Sequence, residues 1–156
     1  MTAQQEAQEL QHHNIPNNMA DQANLSAITF GHGETILLAD CNANLLKLGS
    51  SLLSKLNYQV VTASNENQVI KQFNASGKKI DLLILDTDIP RSDGQNIMDK
   101  IYIYQPQTKA LFYTVCDWLI DPDCRKKIGH APVISKPYSI SEFSRVIYQT
   151  MHRLQQ

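Results

Sequence analysis

Long apolar runs, a secretion signal and a strong net charge are all missing from this sequence. Its 156 residues carry 14 Lys and Arg against 15 Asp and Glu, a formal net charge of −1. Such a balance provides no long-range attraction to nucleic acid or to acidic membranes. No apolar run is long enough to cross a bilayer, and no basic segment followed by an apolar one opens the chain. We therefore expect neither direct nucleic-acid binding nor membrane insertion.

Cysteine is also scarce. Cys41, Cys116 and Cys124 are odd in number and lack the spacing of a metal site, so free thiols in a reducing compartment are expected. A cytoplasmic location follows as an expectation. Apolar residues make up 42% and charged residues 19% of the chain, which is typical of a globular domain.

Basic residues are absent from the beginning of the chain, where no Lys or Arg occurs before Lys47. Residues 1–33 are instead rich in Gln and Asn and contain the breakers Pro16, Gly31 and Gly33. We interpret residues 1–33 as a flexible polar leader and residues 34–154 as the folded domain.

The chain does contain short apolar segments that alternate with helical patterns. Leu82–Leu85 has no polar alternation, which is typical of a strand covered on both faces. The five strand candidates are Thr35–Ala39, Tyr58–Ala63, Leu82–Leu85, Ala110–Thr114 and Pro132–Ser135. This alternation predicts an α/β fold, a doubly wound five-stranded parallel sheet with helices on both faces.

The helical stretches carry recognisable start and stop signals. Asn44 can cap the first helix, and Ser139 with Glu142 forms a capping box for the last one. The stretch 117–128 is interrupted by Pro122, which predicts a short or irregular helix. The apolar positions at helical spacing in the first helix are Leu45, Leu48, Leu52 and Leu56.

Polar residues stand at the ends of four strand candidates. Asp40 and Asp86 follow the first and third, Thr114 ends the fourth, and Lys136 follows the fifth. Because the carboxyl ends of parallel strands meet at one edge of a sheet, these residues should converge. A carboxylate can attack phosphorus, other acids can hold Mg²⁺, and a hydroxyl and an ammonium can neutralise phosphoryl oxygens. The pattern predicts a phosphate-handling site.

In this order the residues resemble the receiver domain of bacterial two-component response regulators, from roughly Glu34 to Leu154. The opening Gly33–Leu37 is similar to receivers of hybrid histidine kinases. The resemblance implies the flavodoxin-like receiver fold with strand order 2-1-3-4-5 and a cis Lys136–Pro137 bond. The residues that carry it are Ile36–Asp40 as first strand and acidic pocket, Asp86 as phosphoacceptor, Pro90 and Gly94 in the following loop, Thr114 as switch hydroxyl, and Lys136-Pro137.

The resemblance implies phosphotransfer in a two-component phosphorelay. A histidine kinase or histidine phosphotransfer protein would supply the phosphoryl group, Asp86 would become an aspartyl phosphate, and Asp40, Asp86 and Asp88 would bind Mg²⁺. Thr114 and Lys136 would be the catalytic residues and would shift a face that contacts a downstream protein. Such a chain catalyses only its own phosphorylation and dephosphorylation and is not a conventional enzyme. No output domain follows within the sequence, so output through protein contact is expected.

Three positions depart from the family pattern. Cys41 replaces the second acid of the pocket, and a thiol is a poor Mg²⁺ ligand, so magnesium binding should be weakened. Val133 replaces the aromatic switch residue, and Val115 is larger than the small residue often found there. A pseudo-receiver, an interaction module that no longer cycles phosphate, is therefore the alternative to a phosphorylatable receiver.

A third possibility is a phosphatase of the haloacid-dehalogenase type, because Asp86-Thr87-Asp88 resembles the start motif of that family. Those enzymes need a further acidic pair after the lysine, whereas only Glu142 follows Lys136. The motif strand is also the third in this chain instead of the first. The sequence thus favours a receiver over this enzyme.

Overall fold

The computed structural model describes residues 27–75, 77–90, 97–115, 122, 123, 126 and 131–153. Its strands are β1 (Thr35–Ala39), β2 (Gln59–Ala63), β3 (Leu82–Asp86), β4 (Lys109–Thr114) and β5 (Val133–Ser135). Its helices, within that part of the chain, are α1 (Ala43–Lys55), α2 (Glu66–Asn74), α3 (Ile97–Tyr104) and α4 (Ile140–His152). Gly94 lies outside the described residues, as does the predicted irregular helix at 117–128 apart from three positions.

The five strands form one parallel sheet in the order β2-β1-β3-β4-β5, which confirms the predicted topology. Central strand β3 has neighbours on both sides, since Leu83 pairs with Leu37 of β1 and Ala110 of β4. All five residues of β3 are buried, which explains the lack of polar alternation in its sequence.

Helices cover both faces of the sheet, as predicted. One core includes Phe73 of α2 and Ile101 of α3, and the other includes Leu53 of α1 and Phe143 of α4. Successive residues of a strand point to opposite faces, so each strand contributes to both cores. No helix among the described residues is long and apolar enough to cross a membrane.

The cap of α1 differs from the prediction. Asn42, not Asn44, precedes the helix, and its Oδ1 accepts hydrogen bonds from the backbone N of Asn44 at 3.0 Å and of Leu45 at 3.2 Å. Both asparagines are acceptable cap residues, but Asp40 Oδ1 accepts from Asn42 N at 2.7 Å and fixes the turn two residues earlier.

The buried face of α1 matches the prediction in part, since Leu56 is buried and Leu52 packs against the core shared with α4. Leu45 and Leu48 are 40% and 68% exposed, whereas Leu53 is fully buried. A Cβ atom at Gly49 would lie 2.8 Å from a methyl carbon of Leu38, so the helix approaches β1 closely at this glycine. The two leucine doublets of α1 permit two apolar stripes, and the close approach at Gly49 selects between them.

Residues 27–33, which the sequence assigns to the leader, contact the domain. Thr29 N donates to Ser144 Oγ at 3.1 Å, and Gly31 O accepts from Asn57 Nδ2 at 2.7 Å. Ile28 packs against the core shared by α1 and α4. Contacts with the domain therefore begin before the expected boundary at Glu34. The exact boundary between leader and domain stays a prediction.

Residues 1–26 of the predicted flexible leader lie outside the described residues, and two deletions test what each part of the leader contributes to stability. Removing residues 1–26 should leave the free energy of unfolding nearly unchanged. Removing residues 1–33 should lower it by about 2–4 kcal/mol, because Ile28, several hydrogen bonds and the cover over buried Tyr58 are lost. Urea unfolding of both truncated proteins provides the comparison. Equal stabilities would show that residues 27–33 contribute nothing.

Candidate functional site

The carboxyl ends of β1, β3 and β5 bring three of the predicted residues together. Lys136 Nζ lies 2.6 Å from Asp86 Oδ2 and 3.4 Å from Asp40 Oδ2. Asp40 and Asp86 are 1% and 6% exposed. Two buried carboxylates repel each other unless a cation lies between them, and the Lys136 ammonium has this position.

Tyr113 belongs to the same cluster and was missed by the sequence analysis. Its hydroxyl donates to Asp40 Oδ2 at 2.6 Å, and the ammonium of Lys136 lies 3.9 Å from the centre of its ring. The signal was available in the strand period, because Tyr113 pairs in register with Asp86 and neighbouring side chains of a parallel sheet share a face.

These contacts determine the charge of Asp40. Burial raises its pKa, but hydrogen bonds from Tyr113 and Asn42 N together with the charge of Lys136 lower the pKa below its usual value. Burial and the bond to Asp40 raise the pKa of Tyr113, so the phenol stays protonated. An ionised Asp40 stabilises the fold above its unfolded pKa of about 4, and this contribution is lost as pH falls through the lower folded pKa.

Replacing Tyr113 with Phe should lower the free energy of unfolding by about 1.5–3 kcal/mol at neutral pH, because a hydrogen bond to a buried carboxylate is lost. The pKa of Asp40 should rise, so acid unfolding should begin at a higher pH. Urea unfolding of both proteins across the acidic range measures this, with the exposed Tyr102→Phe as control. A stability difference that stays constant as Asp40 protonates would show that Tyr113 and Asp40 are not coupled.

Thr114 ends β4 at the same edge of the sheet. Its Oγ1 accepts a hydrogen bond from the Thr87 hydroxyl at 2.8 Å, and its backbone O accepts from Lys136 N at 2.8 Å. The sequence analysis did not identify Thr87 as a partner of this hydroxyl. The contact links the end of β4 to the loop that follows the Asp86 strand.

The remaining acidic residue, Asp88, is exposed, and its backbone N donates to Asp86 Oδ1 at 2.6 Å. Asp40, Asp86 and Asp88 offer carboxylate oxygens, the donor type that Mg²⁺ requires, so this set fits the ion. Cys41 is exposed with a free thiol and is therefore not a core residue. Its sulfur does not fit a hard cation.

The other two departures from the family pattern, Val115 and Val133, lie in different environments. Val115, which is larger than the small residue often found at its position, is 71% exposed, so its side chain faces solvent and does not crowd the site. Val133 packs against the core shared by α2 and α3. The Lys136–Pro137 bond is cis, which confirms the prediction.

Comparison with known proteins decides the family. The sequence model of the protein family described as the response regulator receiver domain matches residues 36–148, which is most of the chain. The chain belongs to the response regulator receiver family. This receiver is 28% identical over 120 residues to the probable transcriptional regulator ycf27 of Cyanidium caldarium. The matched region covers 77% of the chain and 47% of that protein.

A second relative is the alkaline phosphatase synthesis transcriptional regulatory protein PhoP of Bacillus subtilis. The identity is 25% over 118 residues, which are 76% of the chain and 48% of PhoP. The chain thus spans about half the length of these two relatives.

Solved structures support the fold independently. The signal receiver domain of an HD-domain protein from Pseudomonas fluorescens has a TM-score of 0.65 at 23% identity, with 77% of this chain and 95% of that chain covered. The receiver domain of a sensor histidine kinase from Pseudomonas aeruginosa has a TM-score of 0.65 at 19% identity, with 78% and 99% covered. At such identities the likeness shows the receiver fold alone.

Proposed function

We propose that this receiver accepts a phosphoryl group on Asp86 from the phosphohistidine of a histidine kinase or histidine phosphotransfer protein, and that it signals by contact with a downstream protein. The main support is the Lys136 ammonium, which lies between the buried carboxylates of Asp86 and Asp40 at the edge where receiver strands end. A cytoplasmic location, where such donors present their phosphohistidine, belongs to the same proposal.

The chemistry follows from the way in which Asp86 is held. Its Oδ1 accepts from Asp88 N and its Oδ2 accepts from Lys136 Nζ, both at 2.6 Å, so the carboxylate is oriented before a donor arrives. A carboxylate oxygen attacks phosphorus, the O–P bond forms as the N–P bond breaks, and the histidine nitrogen keeps the electron pair. Lys136 then neutralises charge on the phosphoryl oxygens.

Asp40, Asp86 and Asp88 would hold Mg²⁺, which supplies positive charge against the phosphoryl oxygens when bound. Two solved receivers support this assignment by analogy. The structure of a response regulator from Thermotoga maritima is described as a complex with Mg²⁺ and BeF, and the Pseudomonas aeruginosa receiver is described with magnesium in its active-site cleft. Cys41 removes one acidic position from the pocket, so we propose a weaker magnesium site.

A two-state element is available to transmit the signal. In the structure Thr114 Oγ1 is bonded to the hydroxyl of Thr87. An aspartyl phosphate would bring strong acceptor oxygens to the strand beside β4, and the Thr114 hydroxyl, which accepts from Thr87 in the structure, would donate its proton to one of them. We assign this new hydrogen bond of Thr114 to signalling, because it would draw the end of β4 towards Asp86.

The exposed Cys41 favours a second candidate, a pseudo-receiver that binds a partner without cycling phosphate. Incubation with acetyl phosphate and Mg²⁺, followed by intact-mass measurement, separates the two functions. We expect the protein to gain one phosphoryl group and Asp86→Asn to gain none. Asp99→Asn, which alters an exposed acid of α3, is the matched control. No gain in the unaltered protein would establish the pseudo-receiver.

A further inference from the structure

The opposite end of the sheet carries a cluster of residues of metal-binding type. His32 and Glu34 directly precede β1, and His152 is the last residue of α4. One possible ligand atom from each lies within 4.8 Å of the other two, and His32 Nδ1 is 3.6 Å from Glu34 Oε1. Within the described part of the chain this is the one group of three His, Cys, Asp or Glu residues with such spacing.

His152 is oriented as metal-binding histidines usually are. Its Nδ1 lies 2.8 Å from the backbone O of Tyr148, and its ring stacks on the Tyr148 ring with centroids 4.0 Å apart. A proton on Nδ1 donates to this carbonyl and leaves the lone pair on Nε2 for a ligand bond. Such a hydrogen bond from the second ring nitrogen fixes the tautomer and raises ligand basicity.

Glu34 is also held by a hydrogen bond. Its Oε2 accepts from the backbone N of His32 at 2.6 Å, which leaves Oε1 as the oxygen nearer the imidazole. Burial raises the pKa of Glu34, but its backbone hydrogen bonds outweigh this effect and hold the pKa below its usual value. The cluster therefore offers two imidazoles and one charged oxygen ligand.

We propose that His32, Glu34 and His152 bind a divalent transition metal of the Zn²⁺ type, with water as the fourth ligand. Zinc–nitrogen and zinc–oxygen bonds of about 2.0–2.2 Å place tetrahedral ligand atoms about 3.4 Å apart. The ligand atoms of the cluster lie within 4.8 Å of one another, so they must move closer together to bind the metal. The His32 side chain can make this movement, because it is 74% exposed. Imidazole ligands select Zn²⁺ over Mg²⁺, so this site differs from the acidic pocket at Asp86.

The metal joins the segment before β1 to the end of the last helix. Lys109 Nζ donates to the carbonyl oxygens of Met151 and Arg153 and so holds the end of α4 in place. The Lys109 ammonium also repels a bound cation, which lowers the affinity for the metal. The negative charge of Glu34 offsets this repulsion. Because the ligands meet only in the folded chain, metal at about 100 times its dissociation constant should lower the unfolding equilibrium constant about a hundredfold.

Zn²⁺ titration by calorimetry tests the site, with Mg²⁺ in excess so that the acidic pocket is not measured. The variants are His32→Ala, Glu34→Gln and His152→Ala. Glu34→Gln keeps the acceptor for His32 N, and His32→Ala alters an exposed side chain, so both should keep the fold. The matched control is His12→Asn/His13→Asn, which removes the other histidine pair of the chain. Unfolding without metal provides the reference stability of each protein.

We expect one equivalent of Zn²⁺ to bind, and each cluster variant to weaken binding at least about tenfold, because even the loss of a hydrogen-bond partner of a ligand weakens metal affinity about 10–100-fold. Zn²⁺ at about 100 times its dissociation constant for the unaltered protein should raise the melting temperature of that protein and of the leader variant, and raise that of His32→Ala or Glu34→Gln by clearly less. Unchanged affinity in the cluster variants, or loss confined to the leader variant, would overturn the proposal. So would the absence of saturable binding in the unaltered protein.

Discussion

Replacing Lys136 with Met should slow phosphorylation of Asp86 by about 10²–10³-fold, the usual loss when one preorganised charge at a reacting oxyanion is removed. Met has similar length and leaves the site packed, so the change removes charge more than volume. The ammonium now lies 2.6 Å from Asp86 Oδ2, where phosphoryl oxygens would develop their charge. The rate with acetyl phosphate and saturating Mg²⁺ measures this loss.

The same variant should be less stable by about 2 kcal/mol at neutral pH, because Asp40 and Asp86 are left buried without their shared cation. Added Mg²⁺ should restore part of this stability. Lys79→Met is the control, since Lys79 is 82% exposed and lies before β3, at the other end of the sheet. Normal phosphorylation of Lys136→Met would show that the lysine has a structural role only.

Replacing Cys41 with Asp should tighten Mg²⁺ binding about tenfold or more and speed phosphorylation. At an effective dielectric near 20, a unit charge about 4 Å away contributes roughly 4 kcal/mol per opposing charge before desolvation offsets most of it. A remainder of about 1.4 kcal/mol corresponds to the tenfold change. Because Cys41 is exposed, an acid at this position would not be buried in the core.

A fourth acid near Asp40, Asp86 and Asp88 also adds repulsion, so the metal-free variant should melt at a slightly lower temperature. Cys41→Asn separates charge from size, and it should leave magnesium affinity close to that of the unaltered protein. Magnesium titration of the three proteins decides the matter. Equal affinities would mean that Asp88 or water already fills the missing place, and the argument for a weakened pocket would fail.

Strand and helix signals in the sequence predicted the sheet because they are local. The apolar run before Asp86 and the capping box at Ser139 depend on neighbours a few residues away, and both are present in the structure. The first helix shows the limit of such signals. Its leucines fit two stripes equally well, and only the approach of Gly49 to Leu38 exposes Leu45 and Leu48.

The candidate site divides in the same way. Asp40, Asp86, Thr114 and Lys136 could be assigned from their places at strand ends, because parallel strands end at one edge whatever their side chains. The strand period places Tyr113 beside Asp86, but its bond to Asp40 and the bond between Thr87 and Thr114 depend on packing across strands, which the sequence does not show. The cluster of His32, Glu34 and His152 could not be predicted either, because His32 and His152 are 120 residues apart in sequence and meet only in the folded chain.

By itself the sequence determined the parallel sheet, its strand order through the family resemblance, and the acidic and basic residues at its carboxyl edge. Only the tertiary structure decided which face of α1 is buried, that Tyr113 shares Asp40 with Lys136, and that residues 27–33 lie against α4. The periodicity of helices and strands depends on residues close together in the sequence. These contacts instead join residues far apart in the sequence, and they arise only when the helices pack on the sheet.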